Sequence, residues 1–273
     1  MAERAWPEDG ECPGGDEPPT PAGTCPLAVE LLGGFRMIRG RTTVPVPNGA
    51  QRLVAYLALA GPRARTHVAG TLWPEMRDEQ ALACLRSTLW RLGRLCPGVV
   101  VIRDASLAIA ECVEVDVQSV RATARLSVGP DGAAVDGVDV PQFLRLVQVP
   151  LLPGWCDDWV VIEREYLRQT GLHALDALAQ KLSQRGHHAA ALQAALGAIA
   201  AEPLRESAYR EAAKVHLAEG NLSEAQRQFE ACRRILQQEL DVCPSAEFAE
   251  LVGLPQQPPR PERTQRLRRP GAG

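Results

Sequence analysis

Three arginines and a tryptophan fall within nine residues of one another in the stretch QALACLRSTLWRLGRL, residues 80–95: Arg86, Trp90, Arg91 and Arg94, with Ser87 among them. A guanidinium carries a rigid fork of donors that matches a guanine edge or a phosphate. At 3.6 residues per turn, Leu82, Leu85, Leu89 and Leu92 form one narrow stripe. Gln80, Ala83, Ser87, Arg91 and Arg94 lie opposite, with Trp90 beside them and Arg86 nearer the flank. A solvated helix face usually alternates acids and bases for intrahelix pairing. Here no acid follows Glu79. Small side chains at Ala83 and Ser87 let such a helix seat deeply in a groove, where arginine forks to a base or clamps phosphate. The pattern alone leaves two other readings open: an ordinary solvated face, and a Trp90 half-buried against neighbouring strands.

Other chemistry-bearing residues form no comparable set. Asp157, Asp158, Glu163 and Glu165 sit at an expected helix start, where acids favour the positive end of the dipole. With Trp155 and Trp159 they fit a joint between two domains better than an acid–base pair. His187 and His188 follow Gly186 at a turn, with no further ligand at metal spacing. The eight cysteines (Cys12, Cys25, Cys84, Cys96, Cys112, Cys156, Cys232 and Cys243) form no CxxC pair, so they are expected to be reduced thiols rather than zinc ligands. Gly33-Gly34 has no phosphate-loop continuation, and no GKS or GKT occurs. No cofactor, no metal and no catalysis are expected.

The positioning elements follow from local signals. Residues 1–26, rich in Pro, Gly and acid, are expected to be disordered, as is the basic tail 255–273. LAVELLGGFRMIRGRTTVPVP (27–47) reads as a small antiparallel meander whose last strand lies at an edge. Three helices are expected next, capped by Asn48, Thr66 and Asp78 and ended by Gly61-Pro62, Pro74 and Cys96-Pro97-Gly98. VVVIRDASLAIAECVEVDV (99–117) reads as a hairpin turning at Asp104-Ala105-Ser106. Strands, three helices and a trailing hairpin make a winged helix. SVGPDGAAVDGVDVP (127–141) reads as a loop.

From about Glu163 to Val252 the chain is expected to be helical, with an internal repeat. Gly186 and Gly220 lie 34 residues apart, and Ala179/Ala213, Ala191/Ala225 and Ala198/Cys232 keep the same step. That is the tetratricopeptide period, in which small residues let antiparallel helices pack closely. Pro203 ends the first repeat, whereas Gln237 at the equivalent point lets the second run on towards Pro244. The fold class is therefore an α+β winged-helix DNA-binding domain followed by an all-α tetratricopeptide-like helical-repeat domain.

Composition bounds the rest. The 273 residues allow one large domain or two ordinary ones, and 45% hydrophobic residues can build their cores. Net charge is −3, yet residues 27–120 hold eleven Arg against eight acids, a weak basic footprint inside an acidic chain. No apolar run reaches a signal peptide or a membrane span, so a cytoplasmic, nucleoid-associated location is expected.

TLWPEMRDEQALACLRSTLWRLGRL (71–95) resembles the DNA-binding region of the Streptomyces antibiotic regulatory protein (SARP) family, which carries an OmpR-like winged helix. LLPGWCDDWVVIEREYLRQ (151–169) and AAEPLRESAYREAAKVHLAEGNLSEAQRQFEACRRILQQELDVCPSAE resemble that family's bacterial transcriptional activation domain. The resemblance spans about residues 27–252 and divides the chain into a reader at 27–120 and an activation domain at 121–254. It implies an activator that binds direct repeats near promoter −35 elements of double-stranded DNA as a homodimer. It further implies recruitment of the RNA polymerase holoenzyme to genes such as those of an antibiotic or other secondary-metabolite cluster. Carried over by position, Arg86, Ser87, Trp90, Arg91 and Arg94 are the expected DNA contacts, and Arg103 at the wing turn would reach phosphate or the minor groove. Gly93 departs from the family, which often has a further base there. That departure and the modest charge keep a second function in view: a protein-binding adaptor whose winged helix does not bind DNA.

Overall fold

A computed structural model describes residues 27–103, 105–129 and 133–254. The expected disorder at 1–26 and 255–273 lies outside the described residues, as does Asp104 of the expected hairpin turn. The chain begins with β1 (Leu27–Glu30), β2 (Arg36–Arg39) and β3 (Thr42–Thr43), an antiparallel meander with β3 at the edge, as expected. Then come α1 (Asn48–Ala60), β4 (Arg63–Ala64), α2 (Arg65–Leu72) and α3 (Asp78–Leu95). The three expected caps are not the ones used. Pro47, Ala64 and Arg77 occupy the cap positions without side-chain capping bonds, while Asn48, Thr66 and Asp78 are already helical. β4 runs straight into α2, which leaves no loop residue free to cap it.

The stretch expected to be one hairpin is divided between two sheets. β5 (Val100–Arg103) and β6 (Ser106–Ile109) form the hairpin, and β4 joins them in the order β4-β6-β5. β7 (Val113–Val115) instead pairs parallel to β1 and completes the first sheet, β3-β2-β1-β7. The redirection happens at Ala110, whose N–H reaches the Val99 carbonyl (3.0 Å) and whose carbonyl takes the Val113 N–H (3.0 Å).

Two helices lie mostly in stretches to which the sequence assigned no element, and they overlap the expected hairpin and loop only at their ends. α4 (Asp116–Val128) follows β7 directly, and α5 (Val140–Gln148) starts from Asp139, whose side chain accepts the Gln142 N–H at 2.9 Å. Between them is a short 3-10 turn at Ala133–Val135. The expected boundary at residues 120/121 thus falls inside α4.

The remaining helices are α6 (Asp158–Gln184), α7 (His188–Ala201), α8 (Glu206–Ala218), α9 (Leu222–Leu240) and the short α10 (Ala246–Leu251). α6/α7 and α8/α9 are repeated antiparallel pairs, and their turns use Gly186 and Gly220 at φ of 80° and 77°, where a Cβ is strained. All six small residues that keep the 34-residue step are fully buried, so the step matches helix contacts. α9 outlasts α7, ending at Asp241 in the left-handed region, because no proline stops it earlier.

The N-terminal β-containing half and the helical half share one hydrophobic core, running from Val29 through α1, α3 and α4 to Val215. α1 is buried nearly all round, as a central helix must be. Backbone pairing adds to this joint: Gly33 N–H to the Pro150 carbonyl and Leu152 N–H to the Leu31 carbonyl, both 2.9 Å. Beside them the Asp116 carboxylate accepts the N–H groups of Leu31 (2.9 Å), Leu32 (2.8 Å) and Val117 (2.7 Å). Burial raises its pKa above the ordinary value, against the opposing pull of those N–H groups. Phe35 stacks on Trp155, and Trp159 meets both Trp155 and Tyr56 edge-on. The acids of this region are committed to arginines: Asp157 to Arg52, Glu163 to Arg121 and Glu165 to Arg168. Only Asp158 remains a plain first-turn acid of α6. A second cluster, centred on Phe229 and Phe248, closes the far end.

Candidate nucleic-acid interface

α3 carries Asp78 and Glu79 in its first turn and Arg94 in its last, an order that complements the helix dipole. Its core side holds Ala81, Leu85 and Leu92, with Leu82, Leu89 and Thr88 half-buried at the margins. The buried stripe is therefore turned from the expected leucine line towards Ala81 and Thr88. Thr88 faces Gly49 at the start of α1, where an added Cβ would lie 3.8 Å from its hydroxyl, an ordinary contact. The Thr88 hydroxyl donates to the Cys84 carbonyl at 2.8 Å.

The opposite side is open. Arg86, Ser87, Trp90, Arg91 and Arg94 are all exposed, so the structure brings these five sequence-selected residues together on one helix face. Trp90 is 63% exposed, which excludes the reading that half-buries it against the strands. It serves instead as a platform, with the Arg94 guanidinium 5.0 Å from its ring centroid. That stack restricts Arg94 while leaving its donors outward.

Charge is distributed unevenly over the molecule. Among the described residues no ion pair involves Arg86, Arg91 or Arg94. In the helical half, Arg168, Arg185, Arg205, Arg210, Arg227 and Arg233 each meet a carboxylate. The arginines of α3 thus keep an unneutralised field.

Arg103 does not belong with them. It closes β5, where its Nη1 meets Glu111 Oε1 at 2.6 Å, and that bond holds the Glu111 carboxyl below the usual glutamate range. A phosphate approaching Arg103 must compete with a carboxylate already in place.

Sequence reasoning passed over Arg65 and Arg77. Arg65 opens α2, whose first turn has no acid and no side-chain cap, a helix start whose dipole favours negative charge. Arg77 stands at the N-cap of α3. Both are exposed. The available signal was a basic residue at the start of each helix of a helix–turn–helix.

No group of three or more His, Cys, Asp or Glu among the described residues could hold a metal ion. No described helix is long and apolar enough to cross a membrane.

Comparison with known proteins bears on both halves. Residues 131–253 match the family model of the bacterial transcriptional activator domain. A solved structure of Mycobacterium tuberculosis EmbR in complex with a low-affinity phosphopeptide shares the fold, with a TM-score of 0.62 at 18% identity, over 85% of this chain and 67% of that one. No curated protein matches the chain.

Proposed function

We propose that this chain is a transcriptional activator of the SARP kind, in which residues 27–120 read double-stranded DNA while residues 121–254, which include the match to the bacterial transcriptional activator domain, engage the transcription machinery. α3 enters the major groove, with Ala83 and Ser87 at the closest approach and Arg86, Arg91 and Arg94 supplying forked donors. Arg65 and the first turn of α2 clamp phosphate, and Arg103 does so from the wing once Glu111 yields. The observation that carries this reading is the open face of α3: three arginines outside any ion pair among the described residues, beside an exposed tryptophan.

The joint gives the reader a means of directing the activation half. Gln118 and Arg121 of α4 donate to the Ala58 and Leu59 carbonyls at the end of α1, at 3.2 Å and 2.8 Å. Orientation on DNA therefore fixes where the helical repeats project, which suits a surface that must meet RNA polymerase at a set distance from the promoter. The modest basic charge of one reader suits cooperation between two copies on direct repeats near the −35 element, each copy adding its own phosphate contacts. The targets this reading expects are genes such as those of a secondary-metabolite cluster.

A footprint of the purified protein on DNA flanking its own gene, at two salt concentrations, tests this. Spaced direct repeats should be protected, less so at higher salt. Arg91→Ala with Arg94→Ala should abolish protection, each lost base contact costing about 1–3 kcal/mol. Unaltered protection by the double variant would remove α3 as the reader. No protection by a folded wild type at either salt would favour the protein-binding adaptor.

A further inference from the structure

Between the end of α1, β4, α4 and the first half of α6 lies an open cleft of about 740 Å³, within the range of small-molecule sites. None of the α3 residues lines it. Two arginines reach it from different elements, Arg63 from β4 and Arg125 from α4. Each makes only a backbone hydrogen bond, to Pro62 O and Arg121 O, and neither takes part in an ion pair among the described residues. A third, Arg121, is paired with Glu163 at 2.8 Å, and its buried Nε lacks an acceptor among the described residues. The cleft's charge is therefore positive, with three guanidiniums against one carboxylate already engaged. Its remaining wall includes two large side chains left bare, Val128 at 66% and Tyr166 at 59% exposure.

Cations from two elements lining one cleft beside exposed apolar surface describe one ligand chemistry. We propose that this cleft binds a small organic anion with a flat aromatic body, the acid group held by Arg63 and Arg125 and the ring laid on Tyr166 and Val128. Forked donors from two elements hold a carboxylate or sulfonate better than one flexible side chain does. The apolar wall supplies the area that a bare inorganic anion cannot use. Occupancy has a direct route to the reader, because the cleft includes Leu59 and Arg121, whose hydrogen bond fastens α4 to α1.

The probe is 1-anilinonaphthalene-8-sulfonate titrated into the full chain. One saturable site with enhanced fluorescence is expected, displaced by 2-naphthoate but by neither 2-naphthylmethylamine nor inorganic phosphate. Arg63→Glu with Arg125→Glu should weaken binding about tenfold or more by reversing two charges at the anion's position. Both residues are exposed, so the unfolding midpoint should hold. Thr170→Trp, which fills the cleft from α6, should abolish the signal. Equal displacement by the amine or by phosphate would overturn the proposal, and so would affinity unchanged in either variant. DNA binding need not be measured, so failure here leaves the reader unaffected.

Discussion

Replacing Asp116 tests the account of the joint. Its carboxylate accepts three backbone N–H groups, two of which, from Leu31 and Leu32, belong to a segment 84 or more residues away in sequence. Leu31 is fully buried, so Asp116→Ala leaves its N–H without water or an acceptor. Each stranded donor costs about 1–3 kcal/mol, or about 2–6 kcal/mol for the pair. Part of that returns, because the variant no longer carries a carboxylate whose ionisation burial disfavours. The net expectation is a loss of about 2–4 kcal/mol, a large fraction of the stability of an ordinary domain. Asp116→Asn, which keeps one acceptor oxygen but turns an amide donor towards the second N–H, should fall between wild type and alanine. Urea unfolding followed by tryptophan fluorescence suits the measurement, because Trp155 and Trp159 pack at this joint. A loss below about 1 kcal/mol for Asp116→Ala would show that the N–H groups find other partners, and the reasoning would fail.

Two other expectations concern the helical half and the thiols. Cys232 is fully buried, and burial pushes its thiol pKa up to about 12; Cys96 is likewise buried and its pKa raised. In the native chain, iodoacetamide should modify Cys112, Cys156 and Cys243 well before Cys96 or Cys232, as read by peptide mass mapping; early modification of Cys232 would contradict the burial. The Glu165 carboxyl is depressed from 4.5 to about 2, first by its hydrogen bond from Arg168. A depressed native pKa adds stability that is present above the unfolded pKa and lost as pH falls. Glu165→Gln should therefore melt slightly below wild type at pH 6, with the gap closing as pH falls from about 4.5 towards 2. A gap that widens on acidification would refute the assignment.

The amino-acid sequence by itself determined whatever depends on near neighbours along the chain. α3 is legible because its leucines recur at helical spacing, and its outward face follows from that period alone. The repeat of α6/α7 in α8/α9 is legible because two glycines and six small residues mark turns and contacts at a constant step. Elements defined by distant partners were not legible. CVEVDV alternates like the second half of a hairpin, yet β7 pairs with β1, more than eighty residues earlier. DVQSVRATARLSV carries β-branched and polar residues that argue weakly for a helix. α4 forms there because Val117, Val120 and Ala124 join the common core and Asp116 anchors its first turn to the segment just after β1. The site divides in the same way. Sequence selected Arg86, Ser87, Trp90, Arg91 and Arg94, but only tertiary structure decided that Trp90 is bare and carries Arg94, and that Arg103 is held by Glu111. The cleft of Arg63, Arg121 and Arg125 is set by tertiary packing too, since its walls come from β4, α4 and α6. Periodicity records which way a side chain leaves its own helix; what it then meets is set by packing between segments that the local pattern does not connect.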